Sequence, residues 1–386
     1  MSENMNMAEL PLDRLIEEIK TDIELGDYSP VMILGKSGVG KTVSIYELTK
    51  EMGIGFCEMR LVTMTETDIM GIPTISEHGG TVYAANDLLP RAERDGEVGI
   101  IVFDEITSAT KTVRASAYQL FDSRRSIGNY KLPEKWKCVA LGNGAGDGGV
   151  YSGMESAMLS RCTCYRVEPD LEAWKKWAIK HGIHPTIIGF LNMRPEYIHK
   201  MDPDEDASIF PCPRSWEALS RKLLAREGRA GGLLDSQSVD IYAAGAVGEE
   251  VSSQFSEFYS FNKKAVSALD ILSGKVKKTD INDFDTEAMY ITIQAVIAEY
   301  VKRVKGKKNI VEGSPEFNMT INLLQWASNI GKQRIDYGVQ IIQDLAAGCM
   351  EFKMLIILDT ENRIEQLCPE FKEFFERADL MMSKGV

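Results

Sequence analysis

Long apolar runs, histidine and an excess of positive charge are all scarce in this chain of 386 residues. No stretch approaches the roughly 18 apolar residues needed to cross a bilayer, and the strongest run, Gly99 to Phe103, is only the size of a strand. The opening residues, MSENMNMAEL, lack the basic-then-apolar order of a secretory leader, so none is expected. Lysine and arginine number 44 against 57 aspartates and glutamates, giving a net charge of −13. That balance argues against a general nucleic-acid coat or a membrane-surface binder, which both rely on a basic field. It does not exclude nucleic acid at a local basic groove. The 4 histidines leave little from which to build a nucleophilic triad, and no Ser/His/Asp or Cys/His arrangement is readable. The 7 cysteines are odd in number and scattered, the pattern of reduced thiols in a cytoplasmic protein. Cys162, Cys164, His181 and His184 lack the spacing of a structural zinc site.

What is present is ample apolar material, 44% of the residues, and a length that suggests two or three domains at about 150 residues each. Leu12, Leu15, Ile16, Ile19 and Ile23 have helical spacing. Short apolar segments then alternate with helical ones: strands near 31–34, 57–62, 100–103 and 138–141, helices over 42–52 and 108–123. This alternation predicts an α/β fold, a parallel sheet covered by helices on both faces. Past about residue 170 no strand is convincing. Segments 171–181, 214–226 and 238–260 read as helix, and two further apolar stripes run from Met289 to Val304 and from Ile335 to Leu345. Glycine-rich stretches at 142–149 and 228–232 and the acidic segment 202–206 read as loops. The expected division is an α/β core over 1–168, a small helical domain over 169–260 and a helical region of unknown role over 261–386.

Residues Gly35, Lys36, Ser37, Gly38, Val39, Gly40, Lys41 and Thr42 complete the pattern G-x-x-x-x-G-K-[ST]. The glycines let successive N–H groups turn inward toward a phosphate, and the helix that follows adds its positive end. Lys41 is placed to reach the β- and γ-phosphates and Thr42 to ligate Mg²⁺. The apolar run Ile100–Phe103 ends in Asp104 and Glu105, which suit a magnesium-holding carboxylate and a water-polarising one. Together the two elements define a P-loop NTPase. A guanine-reading N/T-K-x-D is absent, since Asn262-Lys-Lys-Ala265 lacks the acid, so guanine specificity is disfavoured.

Three later residues complete an order. The strand-like run Cys138-Val-Ala-Leu-Gly-Asn143 ends in Asn143, Arg161 lies at a helix end, and Arg214 falls in the first turn of a later helix. Walker A, Walker B, sensor-1 Asn143, arginine finger Arg161 and sensor-2 Arg214 resemble the AAA+ family, and within it the MoxR-like group related to dynein-type modules. The resemblance covers about residues 8–260 and rests also on Asp68-Ile-Met-Gly-Ile-Pro73, Gly80-Thr-Val-Tyr83, Arg125-Ser-Ile-Gly-Asn-Tyr-Lys-Leu-Pro133 and Pro213-Arg-Ser-Trp216. Two positions depart from the group: Gly144 stands where proline usually follows the sensor asparagine, and Cys162 where an aromatic usually follows the finger. Arg124 and Arg125 are alternative fingers. The resemblance implies a homo-oligomeric ring, commonly a hexamer, with ATP and Mg²⁺ between subunits and residues 169–260 as a lid. It implies a protein client, often one with a von Willebrand factor A domain, remodelled or matured in a chaperone-like way. It further implies a pore-facing hairpin within 64–98, where Met70, Ile72 and Tyr83 would meet a substrate, and a second hairpin over 124–136. A nucleic-acid motor and a nucleotide-controlled scaffold with negligible turnover are the rival readings. Lys302, Arg303, Lys305, Lys307 and Lys308 form a basic run without interleaved aromatics, which reads as a solvated helix end.

Overall fold

The alternation of strand and helix is realised as a six-stranded, all-parallel sheet in the order β1-β10-β2-β9-β6-β3. The computed structural model describes residues 7–144, 147, 156–201, 209–307, 310–357 and 366. The acidic segment 202–206, Lys308, Cys368 and residues 145–146 and 148–149 of the glycine-rich stretch lie outside the described residues.

The sheet strands are β1 (Ala8–Glu9), β2 (Val31–Gly35), β3 (Gly55–Arg60), β6 (Val98–Asp104), β9 (Lys135–Gly142) and β10 (Thr163–Val167). Two antiparallel hairpins lie outside it, β4 (Ile72–Ile75) with β5 (Thr81–Ala84) and β7 (Ser126–Ile127) with β8 (Tyr130–Lys131). The central strands are apolar on both faces because helices cover both. Met32, Leu34, Ile101, Phe103 and Cys138 point into one buried cluster, while Val31, Ile33, Ile100, Val102 and Val139 point into the other. Helices α1 (Leu12–Leu25) and α2 (Lys41–Met52) fill the second face through Leu15, Ile19, Ile45 and Leu48. The short helices α3 (Glu66–Met70) and α5 (Lys111–Ala117) fill the first through Ile69, Val113 and Ala117, while α4 (Ala92–Asp95) buries no side chain and α6 (Ser156–Leu159) contributes Met158.

The chain divides into two compact units, the first running to Asp170 and also taking in Met201, the second beginning at Leu171. Among the described residues the second unit is helical: α7 (Leu171–His181), α8 (Pro185–Met193), α9 (Pro213–Ala230), α10 (Ser236–Val247), α11 (Glu249–Ser260), α12 (Ala268–Leu272), α13 (Thr286–Val304), α14 (Pro315–Gln333), α15 (Ile335–Gly348) and α16 (Met350–Ile357). Trp216, Phe255, Tyr300, Trp326 and Phe352 belong to one buried cluster, so helices on both sides of residue 260 share it. No helix of the described residues is long and apolar enough to cross a membrane.

One sequence expectation needs correction, and one element escaped the sequence. The helix expected over 238–260 is two helices, because Gly248 takes φ +90, and a Cβ there would sit 2.6 Å from the carbonyl oxygen of Ile209. The edge strand β1 was not legible, since two residues carry no period, yet Ala8 and Glu9 pair with Tyr165 and Arg166.

Candidate functional site

In an open parallel sheet, ligands gather at the carboxyl ends of the strands, where the topology switches direction. Here β2, β9 and β6 lie side by side, so Gly35, Asn143 and Asp104 leave neighbouring strands at the same edge. Residues 35–42 turn from β2 into α2. Gly40 is the N-cap of α2 at φ +98, and no side chain caps this helix start, nor does its first turn hold an acid. Elsewhere Thr110, Asp235 and Ser314 cap α5, α10 and α14 with their side chains. An uncapped helix start leaves N–H groups free to meet an anion.

Lys41 is 9% exposed, and its ammonium donates to the carbonyls of Gly35 at 2.6 Å and Lys36 at 2.9 Å. The Thr42 hydroxyl donates to Asp104 Oδ2 at 3.0 Å, joining the loop to the end of β6 across 62 residues of chain. Asp104 Oδ1 accepts the N–H of Glu105 at 2.8 Å, which fixes the carboxylate plane. Glu105 is exposed and holds φ +56, a left-handed conformation that costs a non-glycine residue on the order of 1 kcal/mol or more. Hydroxyl and carboxylate oxygens at this spacing are the hard donors that Mg²⁺ prefers.

Asn143 follows β9, and its N–H donates to the buried Thr107 hydroxyl at 3.1 Å. Thr107, two residues beyond Glu105, therefore links the turn after β6 to the end of β9, helped by the N–H of Ile106 donating to the Leu141 carbonyl at 2.9 Å. Sequence reading missed Thr107, because a buried threonine two residues past Glu105 carries no motif of its own. It also missed Asp147, Arg166 and Glu168. The Gly144 N–H donates to Asp147 Oδ2 at 2.8 Å. Proline at 144 has no N–H to give, which accounts physically for one departure from the MoxR-like pattern.

Arg161 follows α6, is exposed, donates to the Ala157 carbonyl and lies 3.9 Å from the Asp122 carboxylate. The Asp122 carboxyl is held below its ordinary value first by the Ser123 hydroxyl and N–H, with Arg161 and Arg124 adding to the effect. Arg124 is exposed, whereas Arg125 donates to the carbonyls of Glu134 and Trp136, anchoring the start of β9. Arg214 is exposed in the first turn of α9, in the helical unit. In the hairpin β4–β5, Ile72 and Ile75 are exposed, the latter by 83%, while Met70 just before it packs against the sheet core. Within the basic run, Arg303 pairs with Glu299, Lys307 pairs with Glu316, and Lys305 donates to the Lys180 carbonyl.

The sheet order and the loop between β2 and α2 define a P-loop nucleotide-binding fold. Residues 30–162 match the family model for AAA domains of the dynein-related subfamily, so that segment is an AAA domain. Such domains as a family hydrolyse nucleotide, generally ATP with Mg²⁺, and commonly assemble into rings. A search of curated proteins finds no match. Among solved structures, a proline-to-glycine mutant of Thermotoga maritima RuvB is similar at 13% identity and a TM-score of 0.37, covering 69% of this chain and 79% of that one. The Thermotoga maritima RuvB Holliday junction branch migration motor is similar at 12% identity and a TM-score of 0.36, covering 78% and 94%. Both are too distant to bear on activity.

Proposed function

We propose that the chain is an ATPase of MoxR-like type that works as a cytoplasmic ring of its own copies, commonly six, and couples hydrolysis to remodelling or maturing a protein complex. The observation that carries the hydrolytic part is the Thr42 hydroxyl bonded to Asp104 beside the buried Lys41, at an uncapped helix start. The backbone of Gly35, Lys36, Ser37, Gly38, Val39 and Gly40 cradles the phosphates, and Lys41 exchanges its carbonyl partners for phosphate oxygens. Thr42 and Asp104 hold Mg²⁺, which when bound neutralises charge on the phosphate oxygens. Glu105 orients the attacking water, and Asn143 and Arg214 respond to the γ-phosphate. Arg161 reaches the transferred phosphoryl of an adjacent subunit's nucleotide, where an arginine is worth about 10³–10⁵ in rate, with Arg124 and Arg125 as the substitutes. Residues 1–168 form the core, 169–260 act as the lid and 261–386 as the region that distinguishes this protein's role. The client is a protein, of the kind that carries a von Willebrand factor A domain.

The test is a Glu105→Gln protein purified with ATP. It should assemble into rings and retain a defined protein partner that ADP releases. Turnover stimulated by DNA, with binding that weakens steeply in salt, would instead establish a nucleic-acid motor. Partner binding with no turnover at ring-forming concentration would establish a scaffold.

A further inference from the structure

Four charged side chains form a continuous line across the carboxyl ends of β9, β10 and β2. Asp147, only 2% exposed, accepts the Gly144 N–H on Oδ2 and accepts from Arg166 Nη2 on Oδ1 at 2.6 Å. Arg166, on β10, turns its Nε to Glu168 Oε1 at 2.8 Å. Glu168 Oε2 then meets Lys36 Nζ at 3.1 Å. Lys36 belongs to the phosphate loop and Gly144 follows Asn143, so the line joins the two loops that flank the expected γ-phosphate position. Strand β10 is a rigid base for it, because Arg166 pairs in register with Leu34 and Val167 with Gly35.

The signs alternate from Lys36 to Asp147, so each charge has an opposite neighbour. Burial works against the Glu168 carboxylate, yet Lys36 and Arg166 hold its pKa below the ordinary value. Burial likewise works against Arg166, and Asp147 and Glu168 more than offset it. A planar guanidinium can serve two carboxylates at fixed angles, which a lysine cannot reproduce. The packing at Gly144 is equally exacting: a Cβ there would lie 2.5 Å from both Arg166 Nη1 and Asp147 Oδ2. A larger side chain would push the line apart, and a proline would remove its last hydrogen bond.

We propose that Arg166 is a positioning residue for hydrolysis: through Asp147 on one side and Glu168 on the other, it sets the spacing between the phosphate loop and Asn143. The proposal rests on the ATPase reading above. Arg166 acts through the Lys36 side chain and the Gly144 N–H, not through the backbone groups proposed to cradle the phosphates, so its effect belongs in turnover more than in substrate binding.

The test uses the full chain with ATP and Mg²⁺, measuring kcat and KM for wild type, Arg166→Met, Arg166→Lys and Glu168→Gln. Misplacement on the order of 1 Å can cost about a hundredfold in rate, so Arg166→Met should lose roughly tenfold to a hundredfold in kcat with KM within about twofold. Arg166→Lys should recover only part of this. The Arg166→Met, Glu168→Gln double variant should fall little below the worse single one, because both cut the same line. Should Arg166→Met not fold, the Arg166→Lys and Glu168→Gln proteins carry the same kcat-against-KM test. An unchanged kcat in these variants, or losses that add and follow thermal stability, would overturn the proposal while leaving the ATPase reading intact. A wild type without turnover would remove the ATPase reading and this proposal together.

Discussion

The α/β unit and the helical unit both hold charged side chains away from water, but to different ends. In the α/β unit a group of them lies at the carboxyl edge of the sheet, where Lys41 bonds to loop carbonyls, Thr42 to Asp104, and Arg166 to two carboxylates, while Lys137 near the start of β9 is paired with Asp22 of α1. In the helical unit they sit inside the core and tie distant helices together. Lys175 of α7 pairs with Asp344 of α15 at 3.1 Å, and Gln294 of α13 donates to the same carboxylate at 2.8 Å. His184 before α8 lies 3.0 Å from Glu227 of α9, whose other oxygen accepts the Tyr259 hydroxyl of α11. Burial pushes the Asp344 carboxyl up, a penalty that a partner in the core limits. The contrast teaches that buried charge alone does not mark a site. Its position does: at a strand edge beside a helix start that no side chain caps, it can meet a ligand, whereas between packed helices it specifies the packing.

This contrast can be broken by substitution. The largest effect on stability is expected from Lys175→Met, which leaves Asp344 buried without its cation. Denaturant unfolding should show a loss of about 3–5 kcal/mol, largely recovered when Asp344→Leu is added. A loss below 1 kcal/mol would mean that the pair does not specify the helical core. Next comes Lys41→Met, which removes charge-assisted hydrogen bonds to phosphate worth about 1.5–3 kcal/mol. Nucleotide affinity, by titration calorimetry, should fall on the order of tenfold to a hundredfold with the unfolding midpoint unchanged. An equal drop in midpoint would make Lys41 a structural lysine like Lys175.

The smallest effect concerns pH. Burial pushes Glu227 up, but the bonds from His184 and Tyr259 bring its carboxyl below the ordinary value of 4.5. A depressed folded pKa contributes stability above that value, and the contribution is lost as pH falls through the folded pKa. Glu227→Gln should therefore flatten the acid limb of stability below about pH 4.5 and cost about 1 kcal/mol at neutral pH. An acid limb as steep as that of wild type would show that Glu227 carries none of it.

What the sequence made legible follows the same division. Residues 35–42 and 100–105 were readable because phosphate and magnesium demand fixed spacings over a few residues, and the covering helices were readable from their 3.6-residue period. The hairpin turn at Gly128, with φ +54, was readable from Gly-Asn between two short strands. The pair Lys175–Asp344 was not, since 169 residues separate its members and nothing local marks either one. The Asp147–Arg166–Glu168–Lys36 line escaped for a related reason: Lys36 is more than a hundred residues from the other three, and only strand pairing sets β2 between β10 and β9. The break at Gly248 escaped because a single glycine in an otherwise helical pattern does not announce its φ.

The account stands on the claim that Glu105 activates water at the edge of the α/β unit. The most direct measurement is phosphate release from ATP with Mg²⁺, at protein concentrations that form oligomers, for wild type and Glu105→Gln. General-base loss typically costs about 10²–10⁴ in rate, so Glu105→Gln should turn over at least a hundredfold more slowly while binding ATP as tightly as wild type. Equal turnover in the two proteins, or none in wild type, would contradict the claim.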